Sequence, residues 1–121
     1  MKLLIVDVHA GIRALIRELL CQQASQIYEC SSAEDAIALC ADFQPDCITM
    51  DFKMTGMDGL TALSKLRALC PGTHLIMVTQ FDYPTMQHRA RQAGADHFVL
   101  KEKLSELHEY IKLLRVRIEA N

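Results

Sequence analysis

Short apolar segments alternate along the chain with longer segments in which apolar residues recur every three or four positions. That recurrence places the apolar residues on one face of a helix, whereas a short apolar run between polar residues is typical of a buried strand. The predicted strands cover residues 2–8, 26–30, 46–51, 74–80 and 97–101. The pattern therefore predicts five strand–helix units.

Several residues mark where the predicted helices begin and end. Ser32, followed three residues later by Asp35, is typical of a capping box, and Asp58 is a candidate N-cap of the third helix. Pro84 suits the first turn of the fourth helix, and Gly94 suits its C-terminal cap. The last helix is expected near residues 104–119. The predicted inward faces are Ile12, Leu15, Ile16 and Leu19 in the first helix, and Leu60, Leu63, Leu66 and Leu69 in the third.

The predicted strands are apolar throughout instead of alternating apolar and polar residues. Strands of this kind are buried on both faces, as in a parallel sheet covered by helices on each side. Five such units in 121 residues predict an α/β fold with a small doubly wound sheet. A chain of this length forms one compact core, so residues 1–121 are interpreted as one domain.

The charge balance narrows the possible partners. The chain has 13 Lys and Arg against 15 Asp and Glu, a net charge of −2. This argues against a broad electrostatic surface for nucleic acid or for an anionic membrane. No apolar run approaches the length that spans a bilayer, and the run LLIV before Asp7 is too short for the apolar core of a signal peptide. We therefore expect a cytoplasmic protein without membrane or direct nucleic-acid contacts.

Five cysteines are present, an odd number without a C-x-x-C pair. Each lies within a segment of apolar periodicity, which is typical of small reduced core residues. The sequence thus predicts neither a disulfide framework nor a zinc site at Cys21, Cys30, Cys40, Cys47 and Cys70.

Polar residues stand where four of the predicted strands end. Asp7 ends the first strand, Asp51 the third, Thr79 the fourth and Lys101 the fifth. In a doubly wound sheet the functional residues gather at the carboxyl ends of the strands. An aspartate there can accept a phosphoryl group, while a cation, an ammonium group and a hydroxyl neutralise and hold its oxygens. The pattern therefore favours phosphoryl chemistry at Asp51.

Four segments together resemble the receiver domain of two-component response regulators. They are LLIVD (3–7), ITMDFKMTGMDGL (48–60), IMVTQ (76–80) and AGADHFVLK (93–101). Their order and spacing match the family over essentially the whole chain. The resemblance implies a flavodoxin-like sheet with strand order 2-1-3-4-5 and five helices.

The resemblance also implies roles for individual residues. Asp51 is expected to be the phosphoacceptor, phosphorylated by a histidine kinase, a phosphotransfer protein or a small phosphodonor. Thr79 is expected to be the switch hydroxyl, Phe98 the aromatic residue whose rotamer follows the switch, and Lys101 the residue that pairs with the phosphoryl group. No enzymatic activity is expected beyond phosphoryl transfer to Asp51 and hydrolysis from it.

The expected Mg²⁺ ligands are Asp7, Asp51 and the backbone carbonyl of Lys53. Receiver domains usually carry two consecutive acids after the first strand, and here the second is Val8. Loss of a residue that merely supports a ligand commonly costs about 10- to 100-fold in metal affinity, and loss of a ligand at least as much. Weak Mg²⁺ binding is therefore expected. His9 is a candidate replacement ligand, although imidazole suits zinc, copper or nickel better than magnesium.

The last helix is predicted to carry a second apolar surface outside its core stripe. The core stripe is Leu107, Ile111, Leu114 and Ile118; the outer residues are Tyr110, Leu113 and Val116. In receivers the fourth helix, fifth strand and fifth helix often pair in response to phosphorylation. The outer residues are therefore a predicted homodimer or partner surface.

Two other functions stay open at this point. One is a receiver-like interaction module that works without phosphorylation because Val8 impairs Mg²⁺ binding. The other is an aspartyl-phosphate hydrolase, a class that usually needs a second acid two residues after its nucleophile, where this chain has Lys53. The sequence identifies neither a kinase nor an output, and a stand-alone receiver and a fragment of a longer regulator both remain possible.

Overall fold

The computed structural model describes residues 1–120 as a five-stranded parallel sheet flanked by five helices. The strands are β1 (Lys2–Val6), β2 (Gln26–Cys30), β3 (Cys47–Met50), β4 (His74–Thr79) and β5 (His97–Leu100). The helices are α1 (Ala10–Leu20), α2 (Ala33–Phe43), α3 (Gly59–Leu69), α4 (Pro84–Ala93) and α5 (Leu104–Glu119). A single 3₁₀ turn, Lys101–Lys103, joins β5 to α5.

The strand order is β2-β1-β3-β4-β5, and every neighbouring pair is parallel. The predicted α/β class, strand order and number of helices are thus confirmed. β1 ends at Val6 instead of at residue 8, and β3 ends at Met50 instead of at residue 51. Asp7 and Asp51 therefore lie just beyond their strands. Both residues still follow adjacent central strands.

Alternate residues of the central strands face opposite helical layers, which explains why these strands are mostly apolar, whereas the edge strand β2 has exposed polar residues. Leu4 and Val6 of β1 pack towards α2, α3 and α4, while Leu3 and Ile5 pack towards α1 and α5. All four are almost completely buried. The sheet therefore has a core on each face, and both cores fix the strand ends that carry the polar residues.

The helix boundaries follow the predicted signals. The Ser32 hydroxyl accepts a hydrogen bond from the backbone N–H of Asp35, and the Asp58 carboxylate accepts one from Thr61. Pro84 occupies the first turn of α4, and Gly94 ends that helix in the left-handed conformation with φ of 118°. The termini of α2, α3 and α4 are thus explained by local chemistry.

Two residues placed on inward helix faces were assigned wrongly. Leu15 of α1 is 49% exposed and Leu69 of α3 is 56% exposed, whereas Ile16, Leu63 and Leu66 are buried. Leu15 and Leu69 lie at the margins of their apolar stripes. Spacing alone identifies the stripe but not the position of its centre against the sheet.

The prediction for the cysteines was also wrong in part. Cys40 on α2 and Cys70 at the end of α3 form a disulfide, and Cys21 is exposed. Cys30 and Cys47 are buried free thiols as predicted, and burial raises the pKa of both. The two bonded cysteines are 30 residues apart in sequence and meet only because α2 and α3 are neighbours in the fold.

Candidate functional site

Two buried carboxylates lie side by side at the carboxyl edge of the sheet. Asp7 is 2% exposed and Asp51 is 4% exposed. The backbone hydrogen bonding of the sheet extends to both residues. The Asp7 N–H donates to the carbonyl of Cys30, and the Asp51 N–H donates to the carbonyl of Val6. The Asp51 Oδ1 atom also accepts the backbone N–H of Phe52 at 2.7 Å. The strand pairing therefore holds both acids in place.

Lys101 bridges the two carboxylates. Its Nζ atom lies 2.8 Å from Asp7 Oδ2 and 2.9 Å from Asp51 Oδ2. Burial by itself lowers the pKa of this lysine, but the hydrogen bonds and charges of Asp7 and Asp51 outweigh it and raise the pKa above its ordinary value. The ammonium group is thus firmly cationic and compensates part of the charge of the acid pair.

The loop after Asp51 approaches the start of α3 very closely. Gly59 N–H donates to the carbonyl of Phe52 at 2.7 Å. A Cβ atom at Gly59 would lie 2.4 Å from the Asp51 carbonyl oxygen and 2.6 Å from the Phe52 Cα atom. Only glycine fits between this helix and the backbone of Asp51.

The residues after Asp7 surround its other carboxylate oxygen. Asp7 Oδ1 accepts the backbone N–H of His9 at 2.8 Å and lies 3.2 Å from His9 Nδ1. Val8 between them is aliphatic and 37% exposed. Arg13 Nη1 donates to the Asp7 carbonyl at 2.6 Å, and Arg13 Nε pairs with Glu29. Arg13 was not predicted to lie here, although its position one turn into the helix after Asp7 was a usable signal.

Thr79 and Phe98, the residues expected to form the switch, are both buried and lie on the adjacent strands β4 and β5. Thr79 is fully buried at the end of β4, and its Oγ1 atom accepts the backbone N–H of Phe81 at 3.3 Å. Phe98 is 9% exposed and belongs to the core beneath α2, α3 and α4. Phe81 stacks on Tyr83, with ring centroids 5.9 Å apart. The loop after β4 is thereby linked to the Thr79 hydroxyl.

An open pocket of about 360 Å³ gives access to Asp51. Lys53 at its mouth holds its ammonium group 5.9 Å from the centre of the Phe81 ring. The Lys53 side chain therefore lies against an aromatic ring. The pocket is lined by Val8, His9, Asp51, Lys53, Met54, Thr55, Gln80, Phe81 and Lys101.

The donors at this edge suit a divalent cation, but with a reduced set of oxygen ligands. Asp7, His9 and Asp51 each offer a ligand atom, and these atoms lie within 4.8 Å of one another. Mg²⁺ prefers oxygen ligands in near-octahedral geometry and keeps several waters. Two carboxylates satisfy that preference, whereas the valine at position 8 supplies no donor. The residues present therefore fit Mg²⁺ with one carboxylate fewer than an acid pair at positions 7 and 8 would give.

The last helix divides its apolar residues as predicted. Leu107, Ile111 and Leu114 are buried, and Ile118 is partly buried against the same core. Leu113 is 65% exposed and Val116 58% exposed. Tyr110 stacks on His97 of β5 with ring centroids 4.0 Å apart, and burial lowers the pKa of that histidine. Tyr110 therefore lies beside β5, while Leu113 and Val116 are exposed apolar residues of the same helix.

No helix within residues 1–120 is both long enough and apolar enough to cross a bilayer. The family model described as the response regulator receiver domain matches residues 3–112.

Among curated proteins, the chain is similar to chemotaxis protein CheY of Bacillus subtilis, with 32% identity over 83% of this chain and 84% of that protein. It is also similar to sporulation initiation phosphotransferase F of Bacillus subtilis, with 27% identity over 92% of this chain and 90% of that protein. A solved CheY-like receiver domain from Methanospirillum hungatei superimposes with a TM-score of 0.88 at 26% identity, covering 98% of this chain and 96% of that one.

Proposed function

Because this chain belongs to the response regulator receiver domain family, we propose that it is a phosphoacceptor in a two-component or phosphorelay system. Receiver domains are signalling modules of such systems that interact with histidine kinases and phosphotransfer proteins. The proposal is that Asp51 accepts the phosphoryl group, that the protein acts in the cytoplasm, and that phosphorylation changes a protein surface. Residues 1–121 are proposed to form one receiver domain.

The bridge from Lys101 to Asp7 and Asp51 is the observation that supports this proposal most directly. In the transfer step, an Asp51 carboxylate oxygen forms the new bond to phosphorus, and the bond from phosphorus to the donor's nitrogen or oxygen breaks. We infer that Lys101, whose ammonium group contacts Asp51, pairs with an oxygen of the transferred group. The transfer depends mainly on such positioning and charge stabilisation.

Receiver domains bind Mg²⁺ through acidic residues, and this chain offers Asp7, Asp51 and the carbonyl of Lys53 for that purpose. The bound ion would supply charge neutralisation for the phosphoryl oxygens. We propose that Mg²⁺ binding is weak, because Val8 stands where the family has a second carboxylate.

The switch is proposed to pass through Thr79. Its hydroxyl accepts the N–H of Phe81, and a movement of the Thr79 side chain towards a phosphoryl group on Asp51 would lengthen or break that bond. Release of Phe81 would then loosen its stacking with Tyr83 just before α4. Phe98, from the adjacent strand β5, is proposed to change rotamer with this movement.

Phosphorylation is tested by incubating the protein with acetyl phosphate and Mg²⁺ and measuring its intact mass. We expect the added mass of one phosphoryl group on the natural chain and no addition in Asp51→Asn. Val8→Asp, which restores the second acid, is expected to label at a lower Mg²⁺ concentration. Labelling that persists in Asp51→Asn would contradict the assignment of the phosphoacceptor.

A receiver-like module that works without phosphorylation is the second candidate. It is favoured by Val8, which supplies no metal ligand at the position after Asp7. The same labelling experiment separates the two functions. Absence of label at every Mg²⁺ concentration, in the natural chain and in Val8→Asp alike, would favour the second.

We propose that the surface changed by phosphorylation is a homodimer contact of α4, β5 and α5, with Tyr110, Leu113 and Val116 in it. Leu113→Glu is expected to weaken dimerisation of the phosphorylated protein about tenfold or more, since it places a charge in an apolar contact. Analytical ultracentrifugation before and after phosphorylation measures the change.

Leu69→Glu is the matched control for this experiment. Leu69 is comparably exposed, but it lies at the end of α3 outside the proposed surface. The control is expected to dimerise like the natural chain. A protein that stays monomeric after phosphorylation, or equal losses in the two variants, would contradict the proposed contact.

A further inference from the structure

The first strand ends in a donor set that differs from an oxygen-only site. Asp7 contributes a buried carboxylate, Val8 contributes no donor, and His9 contributes an imidazole. Imidazole is a good ligand for Zn²⁺, Ni²⁺ and Co²⁺, whereas Mg²⁺ prefers oxygen. Position 8 therefore offers no oxygen ligand, and the next residue, His9, offers a nitrogen ligand.

The imidazole of His9 lies close to the carboxylate of Asp7. Its Nδ1 atom lies 3.2 Å from Asp7 Oδ1, while Asp7 Oδ2 points to Lys101. Asp7 thus presents one oxygen to the ammonium group and the other to the imidazole. The His9 side chain is 67% exposed, so it has room to adjust.

The distances allow one ion to be shared after a small adjustment. The three ligand atoms of Asp7, His9 and Asp51 lie within 4.8 Å of one another. Two ligands of one transition-metal ion, each about 2.1 Å from it, are at most about 4.2 Å apart. An adjustment of about half an ångström, in whichever pair is widest, would bring the three atoms within reach of one ion.

We propose that Asp7, His9 and Asp51 form a mixed nitrogen and oxygen site for a divalent transition-metal ion of the Zn²⁺ and Co²⁺ class. Its regulatory meaning rests on the proposed function, because an ion held there would compete with phosphorylation of Asp51. Binding of the ion itself requires no phosphodonor. The affinity of the site for the ion can therefore be measured without phosphorylation.

Higher affinity for Co²⁺ than for Mg²⁺ is not sufficient evidence, because nitrogen-containing sites generally favour transition metals. The decisive observation is whether Co²⁺ affinity depends on His9 while Mg²⁺ affinity does not. The Co²⁺ affinity is measured by titrating tag-free protein with Co²⁺, using calorimetry and the visible absorption of the bound ion. The Mg²⁺ affinity is measured by calorimetry.

His9→Gln is the test variant, because the amide keeps a polar side chain at the start of α1. All proteins carry Cys21→Ser, since the exposed thiol of Cys21 would itself bind Co²⁺. His88→Gln, on α4, is the matched control. Equal urea midpoints of the variants in chelator establish that the fold is retained.

We expect His9→Gln to weaken Co²⁺ binding about tenfold or more, and to leave Mg²⁺ binding unchanged. Paramagnetic Co²⁺ should also shift the His9 ring signals in the NMR spectrum. Equal losses in His9→Gln and His88→Gln, or unshifted His9 signals, would overturn the inference.

The result is independent of phosphoryl labelling. If acetyl phosphate labels Asp51 but Co²⁺ binding does not depend on His9, the metal inference fails and the proposed function stands. If Co²⁺ binding depends on His9 but no label appears, the proposed function fails and the metal site stands.

Discussion

Lys101→Met is expected to lower the free energy of unfolding by about 3–5 kcal/mol in the absence of divalent cations. The substitution keeps much of the aliphatic volume but removes the ammonium group that contacts Asp7 and Asp51. Two nearly buried carboxylates would then face each other without a counter-charge. Urea unfolding in chelator, followed by far-ultraviolet circular dichroism, measures the loss.

Three comparisons make this result specific. Lys112→Met, at an exposed position of α5, is expected to unfold like the natural chain. Adding Asp51→Asn to Lys101→Met should recover part of the stability, because one of the uncompensated charges is gone. Mg²⁺ should stabilise Lys101→Met more than the natural chain. Equal stability of Lys101→Met and the natural chain would show that the bridge does not compensate the acid pair.

Gly59→Ala is expected to cost about 3 kcal/mol of stability, at the upper end of the usual penalty for overpacking. The new Cβ atom would meet backbone atoms of Asp51 and Phe52, which cannot turn aside as a flexible side chain does. The helix start or the Asp51 loop must therefore move. Because the loop carries the phosphoacceptor, labelling by acetyl phosphate should also become slower.

Gly11→Ala is the matched control for this substitution. Gly11 lies in the first turn of α1, where an added Cβ atom would meet nothing within 4 Å. Alanine there should keep or slightly raise the stability, since it favours the helix over glycine. If the two variants lose similar stability, the close approach at Gly59 is not the cause.

The sheet and the acid pair were predictable because they depend on local patterns and one topological rule. Strands that are apolar on both faces are typical of a parallel sheet covered by helices, and parallel strands bring their carboxyl ends to one edge. Asp7, Asp51 and Lys101 each follow a strand, so their meeting was expected before any distance was known. Their separate roles in phosphoryl transfer remain predictions.

The sequence did not reveal features that depend on how elements pack. The exposure of Leu15 and Leu69 depends on the rotation of each helix against the sheet. Cys40 and Cys70 meet through the contact of α2 with α3, and the close approach at Gly59 depends on the angle at which α3 leaves the loop. Periodicity contains none of these distances.

The stacked aromatic pairs give this protein an intrinsic optical reporter. The chain has no tryptophan, so its three tyrosines are its main aromatic chromophores in the near-ultraviolet. Tyr83 stacks on Phe81 after β4, and Tyr110 stacks on His97 beside the proposed dimer surface. Tyr28 stacks on Phe43 instead, so Tyr28→Phe would remove its background signal. Movement of the loop after β4 and formation of the dimer would thus be visible as tyrosine signals without an attached dye.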